Sequence, residues 1–213
     1  MNADEVKSRA KKIATDAQDV RAQTRDLVVD VIRSSTDALG RFPEAVERVV
    51  DGAREGLDEV TDERKADVLR EVMDGLSDGL GKGAEAVKLT LEEAGARGQQ
   101  FAKDELKGTV EDLRTLESLL VDRVSQLIKS GATLTGDQAK DLVSHARRAA
   151  EGMRPAVSSA IEAAEKDPVK LATDTASVAA GASRKVVGGL FSAVAGVLDG
   201  VGDAISGKTE EKE

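Results

Sequence analysis

The sequence predicts an all-α protein, an elongated helical bundle of about five or six helices with coiled-coil-like packing and no sheet. Three observations carry this. Apolar residues recur at three- and four-residue spacing through most of the 213 residues, and no stretch sustains period-two alternation. The core-forming side chains are Ala, Val, Leu and Ile, because only Phe42, Phe101 and Phe191 are aromatic and Trp, Tyr and Cys are absent. Small and medium side chains of this kind suit close helix-to-helix packing.

From the N-terminus, Val6, Ala10, Ile13, Ala17, Val20, Thr24, Leu27 and Val31 alternate by four and three, which predicts one heptad helix of about 30 residues. Gly40 to Pro43 break it, with Pro43 placed as the first residue of the next helix. Val46, Val49, Val50, Ala53, Leu57 and Val60 continue at helical spacing, and Val68 to Leu91 resume it after Thr61, so that 43–94 reads as one helix or two. Gly95 and Gly98 precede a third stripe from Leu106 to Ile128, and Thr135-Gly136-Asp137 opens a helix carrying Leu142, Ala146, Ala149, Met153, Val157 and Ile161. Pro155 inside that run predicts a kink or a register shift. Pro168 opens the last portion. The segments are accordingly an N-terminal heptad helix (1–42), a central helical bundle (43–167), a Gly-rich amphipathic helical segment (168–207) and a charged tail (208–213).

The most informative stretch is the last helical one. At about 100° per residue, Val186, Val187, Leu190, Phe191, Val194, Val197, Leu198, Val201 and Ile205 share one face, and Gly, Ala, Ser and Asp fill the rest. Burying such a set amounts to roughly 10 to 20 kcal/mol gross, so this face requires cover. Its opposite side carries Gly189, Ser192, Gly196, Asp199, Gly200 and Asp203 instead of the Lys and Arg that flank interfacial helices. A faint repeat runs beside it. Val49-x-Asp-Gly-x-x-x-Gly-Leu57 recurs as Val72-x-Asp-Gly-x-x-x-Gly-Leu80 and loosely as Val197-x-Asp-Gly-x-x-x-Ala-Ile205. Gly52, Gly56, Gly75, Gly79, Gly196 and Gly200 are thereby candidates for close approach of a second backbone, since helix-interior Gly costs roughly 1 kcal/mol against Ala.

The formal charge of −9 opposes nucleic-acid binding and binding to anionic membranes, both of which draw on Lys and Arg. Without cysteine there are no disulfides or thiolate metal sites, and one histidine offers little for imidazole ligation. The N-terminus lacks the apolar segment of a signal peptide, and the longest uncharged run, Val186 to Leu198, is shorter than the roughly 18 to 20 residues of a spanning helix. A cytoplasmic location without a transmembrane span is expected.

Two phosphate-binding patterns occur in the wrong context. Gly202 to Thr209 fits the P-loop pattern, and Gly79-Leu-Gly81-Lys-Gly83-Ala84 the dinucleotide fingerprint, but neither has the strand before it that such loops need. His145 has no identifiable nucleophile or second ligand, and the Glu-x-x-His spacing of di-iron bundles is absent. No catalytic, cofactor-binding or metal-binding residues are assigned.

Leu106 to Ile128, His145-Ala-Arg-Arg148 and Val186 to Leu198 carry a whole-chain texture that resembles phasins, helical proteins that coat bacterial polyester storage granules. It is also similar to an uncharacterised bacterial family of alanine- and glycine-rich helical proteins. The resemblance implies a non-enzymatic structural or interaction protein that self-associates as a homo-oligomer, or coats an apolar surface such as a granule or lipid, through its C-terminal amphipathic helix. A soluble helical ligand carrier or enzyme, and a stress-type helical protein that folds on a surface, are the alternatives.

Overall fold

The computed structural model describes residues 1–16, 18–34, 41–97, 103–129, 134–166, 193–195 and 197–198. These form six helices, α1 (Ala3–Asp16), α2 (Val20–Ser34), α3 (Arg41–Leu57), α4 (Asp62–Ala96), α5 (Lys103–Lys129) and α6 (Gly136–Lys166), with further helical residues at 193–195 and 197–198. Among the described residues there is no strand. The architecture is a helical bundle, as the periodicity predicts.

Local chemistry starts the helices. The Asn2 side chain accepts from the backbone N–H of Glu5 at 2.8 Å and opens α1. Asp19 does the same for Ala22 at 3.1 Å and opens α2. Thr135 and Gln138 form a reciprocal capping box at the start of α6, with Gln138 N donating to Thr135 Oγ1 at 3.3 Å and Thr135 N donating to Gln138 Oε1 at 2.9 Å. Thr61 marks the start of α4 without a side-chain cap, although its carbonyl accepts from Arg64 N at 3.0 Å and from Lys65 N at 3.2 Å.

The Asp19 cap corrects the expectation of one long N-terminal helix. The heptad alternation is real, but it is shared by two helices that fold back on each other, and Arg9 of α1 reaches Asp30 of α2 at 3.2 Å. Residues 43–94 likewise fall into two helices, parted at residues 58–61. Pro155 lies inside α6, which runs through it without interruption.

The six helices make three hairpins side by side, α1/α2, α3/α4 and α5/α6. Helix α1 packs chiefly on α3, α2 on α4, and α4 on α6, while α5 packs on α6 and α3. Side-chain pairs fix the directions. Lys7–Glu55 and Lys11–Glu59 advance together, so α1 and α3 are parallel. Arg70–Asp141 and Asp74–His145 advance together in the same way along α4 and α6. Arg114–Glu165 and Glu117–Arg154 run in opposite senses, so α5 and α6 are antiparallel. Helix α4, at 35 residues, is about 50 Å long and serves as the spine.

One continuous apolar cluster fills the interior. It includes Leu27, Phe42, Leu69, Leu76, Leu80, Leu91, Leu113, Leu116, Leu120, Leu142 and Met153. Leu89, at 42%, is the large apolar side chain left exposed among the described residues.

Candidate functional site

The glycines that the sequence singles out lie on the two parallel seams of the first two hairpins. A β-carbon added to Gly52 would stand 2.6 Å from that of Ala10 and closer still to the Lys7 carbonyl oxygen; at Gly56 it would stand 2.7 Å from the Ala14 β-carbon and 2.6 Å from the Lys11 carbonyl. One β-carbon on Gly75 would be 2.7 Å from that of Thr24 and would also crowd the Arg21 carbonyl, and one on Gly79 would be 2.6 Å from the β-carbon of Val28. These four helix-interior glycines therefore let two backbones meet. Gly83 extends the second seam, where a β-carbon would strike Ile32 at 2.7 Å and Phe42 at 2.8 Å. Gly196 and Gly200 lie outside the described residues.

The partner helices carry a matching code that the sequence reading missed. Lys7, Ala10, Lys11 and Ala14 on α1 take the places that Arg21, Thr24, Arg25 and Val28 hold on α2, a basic-to-small alternation at spacings of three, one and three. The small residues face glycine, and the basic ones straddle the seam to carboxylates three residues beyond each glycine. Lys7 meets Glu55 at 2.7 Å, Lys11 meets Glu59 at 2.7 Å, and Arg21 meets Asp78 at 2.7 Å. Hydrogen bonding from Lys7 holds the Glu55 carboxyl below its ordinary range, and the same bond raises Lys7. The fourth pair fails for a simple reason. Lys82 stands where Glu59 has its counterpart, so Arg25 turns to its neighbour Asp26 at 2.8 Å.

A second polar line ties α4 to α6. Arg70 donates to Asp141 at 2.7 Å, His145 Nε2 meets Asp74 Oδ1 at 2.9 Å, and the buried Ser77 hydroxyl donates to the Ala149 carbonyl at 2.5 Å. The bond from Arg70 lowers the Asp141 carboxyl, and the two-pronged bond from Arg154 lowers Glu117 between α5 and α6. His145 thus serves as a helix-to-helix tie. Gly81 and Gly152, by contrast, border a shallow groove along α2, α4 and α6 whose rim is Arg25, Asp78, Lys82 and Glu85. A β-carbon at either glycine would meet nothing nearer than 3.8 Å.

Of the C-terminal stripe, Val194 is 0% and Leu198 6% exposed, and both belong to the same apolar cluster as α1 to α6, with Val197 partly buried against it. Val186, Val187, Leu190, Phe191, Val201 and Ile205 lie outside the described residues, as does the P-loop-like Gly202 to Thr209. The dinucleotide-like Gly79 to Ala84 falls in the middle of α4, where Gly79 and Gly83 serve helix contact. Among the described residues no group of three or more His, Cys, Asp or Glu could hold a metal, and no helix is long and apolar enough to cross a membrane.

A family of unknown function, DUF6781, matches residues 1–207. The chain belongs to DUF6781. That match spans all six helices and the C-terminal stripe, so hairpins and stripe together make up the DUF6781 unit. No curated protein and no solved structure matches the chain.

Proposed function

We propose that this DUF6781 protein is a non-enzymatic structural or interaction protein that self-associates, or coats an apolar surface in the manner of phasins, through its C-terminal amphipathic segment. The observation that carries this reading is the one-sided apolar pattern of Val186 to Ile205 in the sequence, whose members Val194 and Leu198 take cover on the bundle's own apolar cluster. The stripe is an adhesive face that takes apolar cover in place of water. Among the described residues the hairpins offer little of that kind, since most of their large apolar side chains are buried or half-buried and Leu89 is the exposed one. A homo-oligomer or an apolar granule or lipid surface is the partner this chemistry fits.

Light scattering of the purified chain and co-flotation with triglyceride droplets test the reading. The unmodified chain forms particles larger than a monomer or floats with the droplets, and the double variant Leu190→Asp, Phe191→Asp loses both behaviours while circular dichroism keeps the helical signal of the hairpins. An unmodified chain that stays monomeric and remains in the aqueous layer overturns it.

A further inference from the structure

The three hairpins do not end level. Ile32, near the end of α2, and Phe42, near the start of α3, meet the spine at Gly83, and α4 continues from there to Ala96. Leu91 and Ala94 lie about 12 and 16 Å further along the axis and are still 2% and 3% exposed. Helix α5 overhangs at the same end. Its pair Arg123–Glu47 sets its register on α3, and by that register Leu106 and Leu113 precede the first turn of α3 while remaining buried. The two overhanging helices do not cover one another, because α4 and α5 have no substantial contact, each packing instead on α6. Val157 and Ala160 of α6 are buried as well, in the stretch that the pairs Arg154–Glu117 and Glu165–Arg114 set against α5. Over the other half of the bundle α3 fills the space between α4 and α5, and the overhanging half needs its own filler.

The described residues beyond α6 that belong to the buried cluster are Val194 and Leu198, with Val197 beside them. We infer that the overhang of α4, α5 and α6, lined by Leu91, Ala94, Leu106, Leu113, Val157 and Ala160, is the docking seat for the chain's own segment around Val194 to Leu198, and that this seat competes with any second copy or apolar surface for the stripe. The inference rests on the stripe being the association face. An internal seat makes association conditional: a ligand or surface draws the stripe away only by binding the undocked form better than the docked one.

The chain has no native thiol, so engineered cysteine pairs report cleanly. Val194→Cys or Leu198→Cys is combined in turn with Leu91→Cys, Leu106→Cys, Leu113→Cys or Val157→Cys, oxidised at low protein concentration, and read by intact mass and non-reducing electrophoresis, with circular dichroism to confirm that each variant folds. At least one pair closes within the monomer, because a disulfide forms only where the two β-carbons approach to about 4 Å. The oxidised, locked form then floats with droplets or associates about tenfold less than the same variant after reduction. Closure in none of the pairs, or disulfides only between chains, overturns the seat, and a locked form that associates as fully as its reduced form overturns the competition. If the reduced form neither floats nor associates, the association reading falls, while the disulfides still decide the seat.

Discussion

Gly52 and Ala10 face each other across the α1/α3 seam at a distance that leaves no room for a second β-carbon, which would lie 2.6 Å from the first. Gly75 and Thr24 repeat the relationship across α2/α4 at 2.7 Å. Gly52→Ala or Gly75→Ala adds a methyl group against the neighbour's backbone carbonyl, which cannot yield without moving its helix. Because the obstacle is backbone, overpacking falls toward the upper end of about 1 to 3 kcal/mol and outweighs the roughly 1 kcal/mol that Ala gains as a helix former, for a net loss of up to about 2 kcal/mol by urea denaturation.

Gly81→Ala and Gly152→Ala give the opposite sign. Both positions are inside helices and have room for a methyl group. Each substitution raises stability by about 0.5 to 1 kcal/mol in the same urea titration. A loss at both would show that the groove beside them is tighter than its geometry implies.

Ser77→Ala removes a buried hydroxyl-to-carbonyl bond between α4 and α6. The Ala149 carbonyl is left without this donor, and the expected loss is about 1 kcal/mol. Amide hydrogen exchange should rise first in the middle of α6, near Ala149.

Asp19→Ala tests the turn that divides the N-terminal heptads. Loss of the cap on Ala22 costs about 1 kcal/mol, and Asp19→Asn restores most of it. Equal stability of all three chains would remove the cap as the cause of the break.

Acid weakens the bundle through its helix-to-helix carboxylates. Asp141 and Glu117 lie below their ordinary values of 3.8 and 4.5 in the folded chain, because Arg70 and Arg154 hydrogen-bond their charged forms. Their contribution is therefore complete above those ordinary values and disappears as the pH falls through the lower folded-state values. The double variant Arg70→Met, Arg154→Met loses less stability than the unmodified chain between about pH 5 and about pH 3, read as the change in melting temperature. Both pairs are largely at the surface, so high salt narrows the difference.

Much of this fold is legible in the spacing of Val, Leu and Ala, since a helix that buries one face has to repeat at three and four. Spacing does not reveal reversal of direction. The alternation from Val6 to Val31 runs unbroken from α1 into α2 because both arms of a hairpin bury a stripe of the same period, and the signal that parts them is Asp19, a capping residue. The glycines at 52, 56, 75 and 79 are legible because each opposes helix formation and so implies a packing reason. Their partners are not, because Lys7-x-x-Ala10-Lys11 reads as an ordinary solvated helix face until Glu55 and Glu59 stand opposite. His145 is visible as the chain's one imidazole, but its tie to Asp74 depends on bringing together residues 71 positions apart.

The spine offers α2 three equivalent teeth, Gly75, Gly79 and Gly83, one helical turn apart. A slide of one turn would re-engage two of them, so shape by itself is a poor judge of alignment along this groove. Arg21 acts as the pawl: a slip in one direction carries it from Asp78 to Asp74, already held by His145, and in the other to Lys82, a cation. Charge at the rim thereby selects among positions that steric fit leaves nearly degenerate.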